Sequence, residues 1–167
     1  MPLSAAIFNQ HDDYFLDSIR DSIEVRTNSY NYGLLPVRQN RDGENGIRIS
    51  QHVTGHMAVR LKSCEAVTAS GIRIQFDATE TESELVKNYS VESDTRKNIT
   101  QWDIILSVDP FHRVGSGDPN PEEVPPRHPN ALPSYRLFVM PKGEINISEL
   151  GSHYLTIGRI RKDAERF

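Results

Sequence analysis

The sequence predicts a mainly β protein: an antiparallel β-sandwich preceded by a single N-terminal helix. Three observations predict it. One segment, residues 11–29, repeats apolar residues at three- and four-residue steps. After it, apolar and polar residues alternate at period two in several short runs. Turn residues and prolines separate those runs, and no second helical layer follows. At 167 residues the chain is expected to form one domain, 1–167, with the sandwich over 32–161.

The helix comes first. Leu16, Ile19, Ile23, Thr27 and Tyr30 share one face of a helix expected from roughly Asp12 to Asn28. Asp12 and Asp13 then fall in its first turn, where carboxylates suit the positive end of the helix dipole. "TNSYNYG" (27–33) supplies the stop, because Asn and Ser compete for backbone hydrogen bonds and Gly33 can adopt a positive φ.

Strands follow. "GIRIS" (46–50) is short, and "RDGENG" (41–46) before it reads as a hairpin turn. "HMAVRLKSCEAV" (56–67) and "GIRIQFD" (71–77) alternate on either side of a Gly-containing turn, which predicts a hairpin. Its inward face is Met57, Val59, Leu61, Ile72, Ile74 and Phe76, with Arg60 and Arg73 outward. "ATETESE" (78–84) is acidic and reads as a loop or a short turn, and "ELVKNYSV" (84–91) reads as a strand. "QWDIILSVDP" (101–110) sets Trp102, Ile104, Leu106 and Val108 on one face, with Pro110 expected to end it. "SYRLFVMP" (134–141) and "HYLTIGRIR" (153–161) are the last strands. Between "QWDIILSVDP" and "SYRLFVMP" lies "GSGDPNPEEVPPRHPNALPS" (115–134), whose six prolines exclude helix and central strand and predict one long ordered loop.

Composition excludes several functions. A net charge of −4 argues against a nucleic-acid or anionic-membrane surface. No stretch approaches the ~20 apolar residues needed to span a bilayer, so no direct membrane insertion is expected. "MPLSAAIFNQHDD" lacks a basic region followed by an apolar run, so no secretory signal is expected. Cys64 is the sole cysteine, which excludes an intrachain disulfide and fits a reducing compartment. Asn-x-Ser/Thr triplets at Asn88, Asn98 and Asn146 are read as chance matches.

Catalytic constellations are not apparent. His52 and His56 are four apart in "HVTGH", but Val53, Thr54 and Gly55 favour a turn, and no third ligand lies nearby in sequence. His112 and His128 flank the proline loop and are read as solvated. Cys64 lies mid-strand among apolar neighbours and is read as an inert thiol. "GSG" (115–117) is not a nucleophile elbow. The expectation is no catalytic residue, no metal and no cofactor. Two other readings stay open: a ligand- or carbohydrate-binding sandwich with Trp102 or the tyrosines as a stacking platform, and an enzyme using the histidines.

Several stretches resemble a known family. "FNQHDDYF" (8–15) resembles the "HFQQQDRYF" stretch near the start of the TssK family, baseplate subunits of type VI secretion systems. The family's aromatic-glycine step is matched by Tyr30, Tyr32 and Gly33 followed by "LLPV". Its alternating strand, turn and Gly-x-x-Phe-Asp strand are similar to 56–77, with Gly71, Phe76 and Asp77 in place. "HYLTIGRI" (153–160) resembles its last strand. The family's leading "W-x-E-G…L-x-P-Q-H" is mostly missing, and its Pro-Asp-Gly turn is Ala69-Ser70-Gly71 here.

The resemblance implies an N-terminal shoulder, a β-sandwich similar to phage receptor-binding-protein shoulders, with the family's neck and head absent. It implies a cytoplasmic structural role at the inner-membrane-docked baseplate. Partners would be TssF–TssG-like wedge subunits and, in the full-length protein, two further copies in a homotrimer, with no nucleic acid. The implied partner-binding residues are Phe8, Gln10, Tyr14 and Phe15. Two readings of the helix remain. Either all its apolar residues pack on the sheet, or the Leu16–Ile19–Ile23 stripe does so while Phe8, Tyr14 and Phe15 meet a partner.

Overall fold

The structure, a computed structural model, describes residues 4–36, 46–51, 55–78, 84–90 and 99–162. It is mainly β, with three three-stranded antiparallel sheets around a common core and a helix leading in. Helix α1 spans Ala5–Glu24, and the strands are β1 Gly33–Leu34, β2 Ile47–Gln51, β3 His56–Leu61, β4 Ser63–Val67, β5 Arg73–Asp77, β6 Leu85–Ser90, β7 Gln101–Ser116, β8 Asn130–Pro141 and β9 Tyr154–Arg161. A short helix, α2, spans Ile147–Leu150. The sheets are ordered β1-β4-β5, β2-β3-β6 and β8-β7-β9.

The predicted hairpin forms, but only from the second half of the first run. β4 pairs with β5 from Ser63↔Asp77 to Val67↔Arg73. The run 56–67 does not stay one strand. It breaks at Lys62, so β3 pairs with β2 and β6 in a different sheet. The break is hydrogen-bonded on both sides, with Lys62 N–H on the Gly46 carbonyl and Ala78 N–H on the Lys62 carbonyl. The alternation survives the crossing. Met57, Val59, Leu61, Ile72, Ile74 and Phe76 are all buried in one cluster, while Arg60 and Arg73 are exposed.

β7 is the centre of the third sheet and is covered on both faces. Trp102, Ile104, Leu106 and Val108 enter the common core. The alternate residues Asp103, Ile105 and Ser107 are buried too. Ile105 packs with Met140 and Leu150 and with the half-buried Phe138 and Tyr154. Asp103 accepts from Arg159 Nε at 2.6 Å, and the Ser107 hydroxyl donates to the Leu150 carbonyl. The cover is α2, which the strand periodicity did not foresee. Asn146 caps it by accepting from the Ser148 N–H at 3.2 Å, so the Asn146-Ile147-Ser148 triplet is a helix N-cap.

Pro110 does not end β7. The pairing with β8 runs to Asp109↔Ser134, shifts, and resumes from Arg113↔Pro133 to Ser116↔Asn130. Pro110 sits in the intervening bulge, where its missing N–H interrupts no ladder bond. Asp109 Oδ1 fills the bulge by accepting from the N–H groups of Phe111 and His112 at 3.2 and 3.1 Å. The expected loop 115–134 is therefore the outer end of one long β7–β8 hairpin, with an irregular tip over 117–129. Pro133 is tolerated because β8 is an edge strand of its sheet. The "RDGENG" turn at residues 41–45 and most of 78–84 lie outside the described residues.

Candidate docking surface

The candidate surface is built on α1, which begins seven residues before the expected Asp12. Asp12 and Asp13 are therefore mid-helix and far from its positive end. They serve a tertiary contact instead: Arg113, on the outer part of β7, lies 3.2 Å from Asp12 and 3.7 Å from Asp13. At the other end the helix rests on the β4–β5 turn. Gly71 has φ +79°, and a Cβ there would lie 3.0 Å from the Arg20 carbonyl oxygen and 3.2 Å from both the Glu24 nitrogen and Ile23 Cβ. Only glycine combines that φ with so close an approach.

Beneath the helix C-terminal half is a polar junction. Ser70 Oγ lies 2.7 Å from His153 Nδ1 and 3.0 Å from Thr68 Oγ1. The Phe111 ring is tilted against His153 at 6.5 Å. Burial, and then the Arg20 charge, push the His153 pKa below its ordinary value, against the opposing carboxylates of Asp109, Glu24 and Asp17. A cleft of about 530 Å³ opens beside this junction, lined in part by Glu24, Tyr32, Ser70 and Tyr154. The Ser70–His153 pair joins residues 83 apart in sequence, and no local motif announced it.

The side of α1 toward the body is thus largely polar: Asp13, Asp17 and Arg20 are half-buried there, with Leu16 the apolar residue among them. Arg20 pairs with Asp17 and Asp21, each at 2.8 Å. The expected stripe does not pack on a sheet. Ile19 is 57% exposed and Ile23 37%, and Thr27 and Tyr30 lie beyond the helix, with Tyr30 93% exposed. No residue of α1 belongs to either core cluster.

The outer face is apolar. Phe8, Tyr14 and Phe15 are 56%, 67% and 51% exposed, and Gln10 is exposed beside them. The His11 ring meets Phe15 edge-on at 4.7 Å, and Tyr14 meets Phe15 at 5.9 Å. The structure therefore brings the sequence-predicted Phe8, Tyr14 and Phe15 onto one accessible helix, together with Ile7 and Ile19, which the sequence reading did not single out for contact.

Elsewhere the tip of the long hairpin is shaped by two glycines. His128 lies over Gly115, where an added Cβ would fall 2.5 Å from its Cδ2, and His128 Nδ1 donates to the Gly117 carbonyl at 2.7 Å. Tyr135 ties the hairpin to the body, donating to the Gln75 carbonyl at 3.0 Å and meeting Phe76 edge-on. Among the described residues no group of three His, Cys, Asp or Glu side chains is placed to hold a metal. His56 and His112 are exposed, and His52 lies outside the described residues. Cys64 is buried, which pushes its thiol up to about 11. Trp102 is fully buried and offers no stacking platform. No helix among the described residues is long and apolar enough to cross a membrane.

No family model and no curated protein matches the sequence. A crystal structure of TssK is similar over 92% of this chain, with 16% identity and a TM-score of 0.44. At that identity and score the likeness concerns the course of the chain, not its residues or partners. The match covers 34% of the TssK chain, so this chain spans about a third of that protein's length.

Proposed function

We propose that this chain is a non-catalytic assembly module of a type VI secretion baseplate, a TssK-like shoulder that docks on TssF–TssG-like wedge subunits through the outer face of α1. The observation that carries the docking role is the exposure of Phe8, Tyr14 and Phe15 on a helix that joins neither core cluster and is tied to β7 by the Arg113 ion pairs. Exposed aromatics on a rigid element are what protein interfaces favour. The baseplate context is supported by the order and spacing of 8–15, 30–37, 56–77 and 153–160 relative to the TssK family. The module works in the cytoplasm at the membrane-docked baseplate, as part of a homotrimer in the longer protein. Avidity from three linked copies raises wedge affinity by ~10²–10⁴ over one module. The Ser70–His153 pair has a structural role in this reading, seating the turn under α1.

The test is retention of the cognate wedge subunits by the wild-type protein, by Tyr14→Ala/Phe15→Ala, and by a version shortened between Asp118 and His128. Loss of wedge in the helix variant, with the fold intact, is expected. Full retention by that variant removes α1 from the interface, and failure of the wild-type trimer to retain the wedge refutes the baseplate assignment.

A further inference from the structure

The outer face of α1 is more specific than an apolar patch. At about 100° per residue, Ile7, Phe8, Tyr14, Phe15 and Ile19 fall within an arc of about 140°. His11, Ser18 and Ser22 complete that arc, and no Asp, Glu, Lys or Arg lies in it. The positions 8, 11, 15, 18 and 22 alternate steps of three and four, the spacing of a helix-packing seam. Large residues (Phe8, His11, Phe15) fill its N-terminal part and small ones (Ser18, Ser22) its C-terminal part, giving knobs at one end and a recess at the other.

The serines do not oppose burial. Ser18 Oγ donates to the Tyr14 carbonyl at 2.9 Å, and Ser22 Oγ to the Ser18 carbonyl at 2.8 Å. Their hydroxyls are satisfied within the helix, so a partner can cover them without leaving a donor unpaired.

Charge selects the occupant. α1 carries five carboxylates and one guanidinium, and Arg113, paired with Asp12 and Asp13, leaves the helix with its ion partner at a net charge of −3. Exposed carboxylates flank the seam on both sides, Asp12 one turn from Phe8 and Phe15 and Asp21 one turn from Ser18, and their surface ion pairs to Arg113 and Arg20 leave carboxylate oxygens open to a second cation. A second copy would set −3 against −3, which like-charge repulsion opposes. We infer that the seam receives a basic amphipathic helix of a partner protein, whose apolar stripe packs on Phe8 and Phe15 and whose Lys or Arg side chains lie beside Asp12 and Asp21. This rests on the docking role proposed for α1 and names the element that docks.

The probes are two synthetic helical peptides with the same leucine seam, one flanked by lysines and one by glutamates, titrated by fluorescence anisotropy against the full chain. The lysine peptide is expected to bind at least roughly tenfold tighter than the glutamate peptide and to weaken as salt is raised. Phe8→Ser/Phe15→Ser should weaken it roughly tenfold or more, with Trp102 emission reporting an intact core. Equal binding of the two peptides, or binding of neither, overturns the inference. So does α1-dependent self-association at the same concentrations, which would make a second copy the occupant. Wedge retention that the lysine peptide fails to displace also overturns it while leaving the proposed function standing. Lysine-peptide binding without wedge retention does the reverse.

Discussion

Phe15→Ala and Phe76→Ala are the same chemical change at two sites that the structure treats in opposite ways. Phe76 is 3% exposed, sits in the common core and meets Tyr135 edge-on at 5.4 Å. Truncating it removes transfer energy and leaves a cavity, so the cost should be ~3–5 kcal/mol. Phe15 is 51% exposed and belongs to no core cluster. Full burial of such a side chain is worth ~1.5–3 kcal/mol, so half of it accounts for ~0.7–1.5 kcal/mol. Alanine then returns up to ~0.7 kcal/mol in helix propensity, leaving a net loss under ~1 kcal/mol. Urea unfolding reads both variants through Trp102, which is the sole tryptophan and fully buried. A midpoint for Phe15→Ala as low as that of Phe76→Ala would refute the reasoning, because Phe15 would then be core and α1 would have no free outer face.

Gly71→Val should loosen α1 selectively, since its Cβ would strike the Arg20–Glu24 backbone at a φ that valine avoids. Hydrogen exchange should rise across α1 more than across β7, and unchanged α1 protection would show that the helix does not rest on this turn. Stability should also depend on His153. Its folded pKa is depressed, so its contribution is complete above the ordinary value of 6.5 and is lost as pH falls through the lower folded value. His153→Asn should flatten that acid limb in urea titrations, and an unchanged slope would mean that other groups set it.

Much of the fold was legible because a half-buried strand writes its orientation into alternate residues. Met57, Val59, Leu61, Ile72, Ile74 and Phe76 were assigned to the core that way, and Trp102, Ile104, Leu106 and Val108 with them. Alternation specifies a face but not a sheet, so the crossing at Lys62 was invisible. It depends on the backbone bonds that Lys62 makes to Gly46 and Ala78, both distant from it in sequence. Nor does a single strand reveal what covers its other face. Ile105 and Ser107 are buried because α2 returns over β7 from some forty residues away.

The same limit governs the helix. Its aromatic residues and its charges were plain in the sequence, and so were Phe8, Tyr14 and Phe15 as contact candidates. Which side would face the body was not, because periodicity gives a helix two faces and no address. The usual rule turns the apolar face inward. Here the inward side was decided by Gly71, which admits the helix backbone, and by Arg113, which draws in Asp12 and Asp13. The tertiary structure thus turned Phe8 and Phe15 outward, since among the described residues it is Arg113 and the Gly71 turn, not an apolar sheet face, that meet α1.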